Sequence, residues 1–316
     1  MCLFVLTTSL AGPLQRPNVS AEAKWLLHLD VENLLRSKVG GYLGKEILDP
    51  KLAEGTTNLK QQLDIDFNWR CVQGITLYGW DFKPPGKDNG GHGVLLIKAD
   101  MDVGKALESV TAKLSIAMGE NAPLARTQEA PFPIYTIKKE VLVGVAPGKP
   151  VVIARYKEDL DRAMAVLDGK SPSLEGKKEL ELSPAMTPGF FFFGAAEGFN
   201  ELAPIPPQAK VLKMAESVQM TAGEKDEALR VSLGLTAKTA EVSQQIQQVV
   251  QGIVAVVALG QSDNAELQTL AQGIKVICKE RQVAVEVQYP VSKAMDHLAK
   301  EAKKEKKEKE NEKEKQ

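Results

Sequence analysis

Three histidines and a few paired carboxylates are the residues whose types could do acid–base or metal chemistry. His28 falls in a strand-like run, His92 in a glycine-rich turn and His297 in the last helical pattern. None has a second His or Cys at the spacing a metal site needs. The segment Asp88-Asn89-Gly90-Gly91-His92 is the nearest approach to a cation loop. It lacks the alternating oxygen ligands and the closing Glu of an EF-hand, and turn chemistry alone accounts for its composition. Asp64 and Asp66 alternate with Ile65 and Phe67, and Asp100 and Asp102 with Met101 and Val103. Paired carboxylates can serve acid–base catalysis. Here Asp100 reads as a helix cap, and Asp64 and Asp66 as the polar side of a short segment. There is no Gly-x-Ser-x-Gly elbow, no P-loop and no GxGxxG after a strand, so no cofactor and no metal are expected. No catalytic residue is assigned, although a site assembled from scattered residues would leave no such motif.

The three cysteines, Cys2, Cys71 and Cys278, form no CxxC pair. Cys71 and Cys278 are either one disulfide or two separate buried thiols. The net charge of the 316-residue chain is −1, and aromatic residues make up 5% of it. Neither property suits a nucleic-acid partner, which needs a basic field or aromatics interleaved with cations. With 43% hydrophobic and 26% charged residues the composition is globular.

The elements that must position these residues form two similar series. Residues 21–170 make the first unit and residues 188–300 the second. Each unit opens with an apolar strand and a helix: Lys24 to Asp30 with Asp30 as the cap of a helix through Leu34, and Phe190 to Ala195 followed by a short helix over 196–202. Four consecutive phenylalanines, Phe190 to Phe193, leave neither side of that strand polar and predict burial on both sides. Each unit continues with a hairpin and an amphipathic helix. The first hairpin runs over Gly74–Phe82 and Val94–Ala99, and the second over Ser217–Ala222 and Leu229–Leu235. The helices that follow place Ala106, Leu107, Val110 and Leu114, or Val242, Ile246, Val249, Val250 and Ile253, on one side. Each unit closes with a strand pair and a helix carrying a basic residue followed by Ala-Met: Arg162-Ala163-Met164 and Lys293-Ala294-Met295. Three blocks recurring in one order predict an internal duplication. Antiparallel hairpins mixed with helices exclude a doubly wound parallel sheet. The fold class read from this pattern is α+β: two units, each a mostly antiparallel sheet with helices on one side. The proline- and glycine-punctuated stretch 171–187 reads as a linker. The first unit has an extra helix-like stretch before its hairpin, where the copies diverge.

The ends lie outside this scheme. The apolar run from Cys2 to Ala11, with Ser9 and Ala11 at the small-residue positions, reads as a signal peptide within a leader of residues 1–20. The alternative is a buried N-terminal strand. No run of about 20 apolar residues is present, so no transmembrane helix is expected.

The pattern Leu29-Asp30-Val31-Glu32-x-Leu34-Leu35-x-Ser37-x-x-Gly40, with Gly74-Ile75-Thr76-Leu77-Tyr78-Gly79 downstream, resembles uncharacterised exported bacterial proteins. The likeness covers about the first third of the chain. It implies an extracytoplasmic setting, periplasmic or secreted, and no activity. The reading is therefore a non-catalytic exported scaffold or binding protein. The rivals are an extracytoplasmic hydrolase and an envelope assembly partner, the last favoured by an exposed flat apolar patch.

Residues 301–316 are almost entirely Glu and Lys. Without an apolar side they gain nothing from burial. Their three- and four-residue spacing supports a solvated helix worth about 0.3–0.5 kcal/mol per pair. Truncation before Lys303 is expected to leave the melting temperature nearly unchanged. A large fall on thermal denaturation would show that the tail packs on the fold.

Overall fold

The structure is a computed structural model, which describes residues 12–63, 68–83, 90–128, 131–176, 189–198, 213–260 and 270–313. Its twelve strands are β1 (Trp25–Asp30), β2 (Val72–Gly79), β3 (Gly93–Ala99), β4 (Leu124–Gln128), β5 (Ile134–Ile137), β6 (Val141–Gly144), β7 (Val151–Ala154), β8 (Phe190–Glu197), β9 (Ala215–Lys225), β10 (Ala228–Ala237), β11 (Ile274–Lys279) and β12 (Gln282–Pro290). The helices are α1 (Val31–Arg36), α2 (Lys38–Tyr42), α3 (Asp49–Leu63), α4 (Val103–Met118), α5 (Lys157–Leu167), α6 (Ala240–Gly260) and α7 (Val291–Lys313). A turn of π-helix, Leu43–Leu48, joins α2 to α3.

The α+β class and the antiparallel pairing are as the sequence predicts. The arrangement differs in two respects. First, there is one sheet and not two. All twelve strands form a single sheet in the order β11-β12-β10-β9-β8-β1-β2-β3-β7-β6-β5-β4, with every neighbouring pair antiparallel. The join is β1 against β8, registered from Trp25 opposite Ala196 to Leu29 opposite Phe192. Second, the helices cover both sides of the sheet. Side chains alternate along a strand, and directly paired residues share a side. On one side Leu26, Tyr78, Val94 and Ala154 form a paired row. They are packed with Leu160, Ala163, Met164 and Leu167 of α5 and with Val19 and Leu174. On the other side Ile97, Ile153, Val143 and Tyr135 meet Val103, Leu107, Val110 and Leu114 of α4. Also on that side, Val218, Leu235, Val283 and Cys278 meet Val242, Ile246 and Val250 of α6. The two helices differ because β3 enters α4 through Asp102, whereas β7 turns into α5 at Arg155-Tyr156 toward the opposite side.

Local chemistry explains most element ends. Asp30 caps α1 as expected, accepting from the Asn33 amide at 2.9 Å. The cap of α4 is Asp102, which accepts from the Lys105 amide at 3.1 Å, in place of the expected Asp100. Asp100 instead closes β3, its amide donating to the Cys71 carbonyl at 2.7 Å. The β9–β10 hairpin turns through Asp226 and Glu227, both in the left-handed region (φ 53° and 61°) that a two-residue hairpin turn requires. The predicted helix over 196–202 is replaced at its start by strand, since β8 runs on to Glu197. Strand β4 was not predicted, because Leu124-Ala125-Arg126-Thr127-Gln128 has one apolar position and little periodicity. As an edge strand it buries Leu124 alone. The outer edge β11 alternates Lys275 and Lys279 with apolar residues, which discourages edge-to-edge pairing. Cys71 and Cys278 are both free thiols. Cys71 sits just before β2 and Cys278 on β11, with five strands between those two in the sheet.

The two halves are also tied outside the sheet. The Glu224 carboxylate on β9 accepts from the Lys38 and Val39 amides at the start of α2, both at 3.1 Å, and Lys38 Nζ pairs with Glu227 at 2.5 Å. Val39 then packs with Val291, Ala294, Met295 and Leu298 of α7. The Ala-Met pairs common to both closing helices are core residues in α5, and in α7 they join this cluster. Asp64, Asp66, the 1–11 run and most of the 171–187 linker lie outside the described residues. Among the described residues no helix is long and apolar enough to cross a membrane.

Of the four phenylalanines only Phe193 is fully buried, on the α5 side with Leu26 and Ala195; Phe190, Phe191 and Phe192 are half-buried. Full burial of all four is thus corrected to full burial of Phe193 alone. Phe193→Ala is expected to cost about 3–5 kcal/mol in chemical denaturation, with Phe191→Ala costing clearly less. Equal costs would show that the strand is not sided in this way.

Candidate functional site

The polar groups that converge are not those paired in sequence. His92 stands at the entrance to β3. Its amide donates to Asp81 Oδ1 at 3.2 Å, and its carbonyl accepts from the Trp80 amide at 3.1 Å. Two glycines make this approach possible. Gly79 and Gly93 face each other across β2 and β3, and a Cβ on Gly79 would lie 2.4 Å from Trp25 Cζ2. The Trp25 indole therefore lies over the pair and donates from Nε1 to the Asp81 carbonyl at 2.6 Å.

Opposite His92 is the first turn of α5, with Glu158 and Asp159. The Asp159 side chain is 1% exposed. His92 Nδ1 lies 3.0 Å from Asp159 Oδ1 and 3.2 Å from Oδ2, and the Gly93 amide donates to Oδ2 at 3.3 Å. Glu158 Oε1 lies 3.3 Å from the same Nδ1 and its side chain is 62% exposed. The Tyr156 ring sits 4.9 Å from the imidazole, tilted by 36°, and its buried hydroxyl has no hydrogen-bond partner among the described residues. Burial pushes the Asp159 carboxyl above its ordinary range, the hydrogen bond and charge of His92 and the Gly93 amide pull it down, and Glu158 pushes it up.

A carboxylate holding Nδ1 of an imidazole is the orienting half of a general-base arrangement. Among the described residues no hydroxyl or thiol hydrogen-bonds to Nε2, so the nucleophilic half is not assembled. The donor atoms of His92, Glu158 and Asp159 all lie within 4.8 Å of one another, a spacing one metal ion could bridge. Sequence reasoning named His92 but missed its partners, which are 66 and 67 residues downstream. A usable signal existed: where the first unit has Glu158-Asp159 ahead of its Ala-Met pair, the second has Tyr289-Pro290.

His28 plays a different part. It is buried on β1, with Nδ1 2.9 Å from Thr76 Oγ1 and Nε2 3.0 Å from the Gly12 carbonyl. The neutral ring satisfies both if Nε2–H donates to Gly12 and Nδ1 accepts from Thr76. Burial lowers its pKa to about 4, against the raising effect of the Gly12 bond. A small cavity beside it is lined by Gly12, Asn18, Thr76 and Lys98. His297 is carried on α7.

No family model matches the chain, and no curated protein sequence matches it. Among solved structures the chain is similar to crystal form III of TP0453, with a TM-score of 0.47 and 11% identity over 88% of this chain and 94% of that one. Crystal form I of TP0453 gives a TM-score of 0.46 and 10% identity over 91% and 98%.

The His28 environment makes a pH prediction. Unfolded, the ring takes a proton near pH 6.5; folded, it resists until about pH 4. Its contribution is fully present above pH 6.5 and is lost as pH falls from 6.5 towards 4, by roughly 3 kcal/mol in all. Denaturant unfolding of the protein and of His28→Gln between pH 7 and pH 4 is expected to show the steeper loss in the protein with histidine. Parallel curves would show that His28 does not resist protonation.

Proposed function

We propose that this chain is a non-catalytic, exported binding scaffold, built by duplication of one α+β unit, that holds a protein partner on an uncovered apolar strip of its sheet. The strip is the observation that supports the reading. One paired row crosses all twelve strands on the side bearing α4 and α6: Val276, Val285, Leu233, Met220, Gly194, Leu27, Leu77, Leu95, Ile153, Val143, Tyr135 and Arg126. Its ends lie under the two helices. Its middle does not: Met220 is 38% exposed, Leu27 42% and Leu77 36%. A solvated side of an antiparallel sheet is ordinarily polar, so apolar residues there mark an interaction surface. Gly194 keeps the centre low; a Cβ there would meet Leu27 Cδ2 at 3.1 Å.

The duplication is supported by the strand order read outward from the β1–β8 join. One direction gives β1, β2, β3, β7, β6 and the other gives β8, β9, β10, β12, β11. In each half a helix follows the third strand, and a helix carrying the Ala-Met pair closes the series. In this reading β4, β5 and the α1–α3 region are additions to the first copy. The extracytoplasmic setting rests on the apolar 2–11 run and the resemblance over the first third. The rival hydrolase reading has one observation in its favour, the Asp159-held imidazole of His92.

The double variant Leu27→Lys, Met220→Lys tests the binding role. Substitutions at such exposed positions are expected to change stability by about 0.5 kcal/mol each or less. Native wild-type protein is expected to enhance the fluorescence of an apolar dye, and to retain a partner from its native envelope; the variant is expected to lose both at an unchanged melting temperature. A native protein that leaves the dye dark, or a variant that binds dye and partner as well as wild type, would overturn the reading.

A further inference from the structure

We propose that His92, Glu158 and Asp159 bind one divalent transition-metal cation of the zinc class, at a site separate from the apolar strip. The donors are one imidazole nitrogen and two carboxylate oxygens. That set suits zinc and its neighbours; calcium and magnesium prefer oxygen ligands throughout.

The spacing agrees. Bonds of about 2.0–2.2 Å in a tetrahedral site put ligand atoms roughly 3.3–3.5 Å apart. Nδ1 of His92 lies 3.0 Å from Asp159 Oδ1 and 3.3 Å from Glu158 Oε1. All three donor atoms lie within 4.8 Å of one another, so an ion entering between them is reached by adjustment of the exposed Glu158 side chain, and it displaces the Nδ1 proton.

The surroundings hold the ligands in place. The Gly93 amide on Oδ2 fixes the Asp159 carboxylate and leaves Oδ1 towards the imidazole. The backbone of His92 is pinned on both sides by Asp81 and Trp80, and its ring rests near Tyr156. Supporting bonds of this kind set ligand orientation in metal sites. Electrostatics favour a cation as well. A fully buried carboxylate beside a second carboxylate favours positive charge between them, which a divalent cation would supply. The site is also accessible, because Glu158 and His92 remain 62% and 30% exposed at the side-chain level. Three protein ligands leave a fourth position for water. The bound ion would tie the loop before β3 to the first turn of α5.

The test is calorimetric titration of the full chain, stripped of metal by a chelator, with zinc chloride, and with magnesium chloride as the control. One zinc per chain is expected, with no magnesium binding, and a melting temperature that rises with zinc alone. Glu158→Gln, exposed and safe for folding, is expected to weaken zinc binding at least tenfold, and His92→Ala to abolish it. Cobalt is expected to give a tetrahedral visible absorption in wild type that His92→Ala lacks. Absence of saturable one-to-one zinc binding, or zinc binding unchanged in both variants, would overturn the proposal and leave the cluster as an ion pair only.

Discussion

The pairing of β1 with β8 is the constraint on which the rest of the molecule depends. Each strand has a second partner, β2 for β1 and β9 for β8, so the join converts two half-sheets into one continuous ladder. A strand edge left open here would expose a row of unpaired amides and carbonyls at the centre of the molecule. The five registered pairs also set which residues share a side. Leu26, His28 and Asp30 fall on the α5 side with Phe193 and Ala195, whereas Leu27 and Leu29 fall on the side of Gly194 and Phe192. A slip of one residue would exchange those sets, placing His28 and Asp30 in the strip and Leu27 against the core.

The two sides of the sheet are unequal as a consequence. The α5 side is closed over the first half by α5 and by the segment around Val19 and Leu174, and it contains the largest cluster of buried residues. On the other side α4 and α6 pack on separate clusters towards the two ends. Leu27, Leu77 and Met220, on the strands at and beside the join, stay partly exposed between them. Glu224 reaching across from β9 to the amides that open α2 adds a second link between the halves.

Buried polar groups mark where the fold carries more than packing. His28 is satisfied by Thr76 and Gly12, so its burial ties the segment around Gly12 to the central strands. Asp159 is satisfied in part by a backbone amide and in part by a histidine open to solvent, which is a less settled arrangement. Every contact of the first lies within the protein, whereas the second opens to solvent through His92 and Glu158.

The sequence by itself determined most element types and the antiparallel class, because those follow from local periodicity, turn residues and caps such as Asp30; it missed β4 and the end of β8, where the periodicity is weak. It also showed the Ala-Met endings, which proved to be core positions because burial is written as an apolar repeat on each helix. It did not show that the half-sheets merge, since any apolar strand can satisfy its hydrogen bonds with any other, and the choice of β8 for β1 is made by the whole assembly. Nor did it show which side each helix takes: α4 and α5 have similar amphipathic patterns, and only the exit direction of the preceding strand separates them. His92 was legible as a residue and invisible as a site. Its partners lie 66 and 67 residues away, and the contact arises only when α5 folds back over the sheet and brings the first turn of that helix to the entrance of β3.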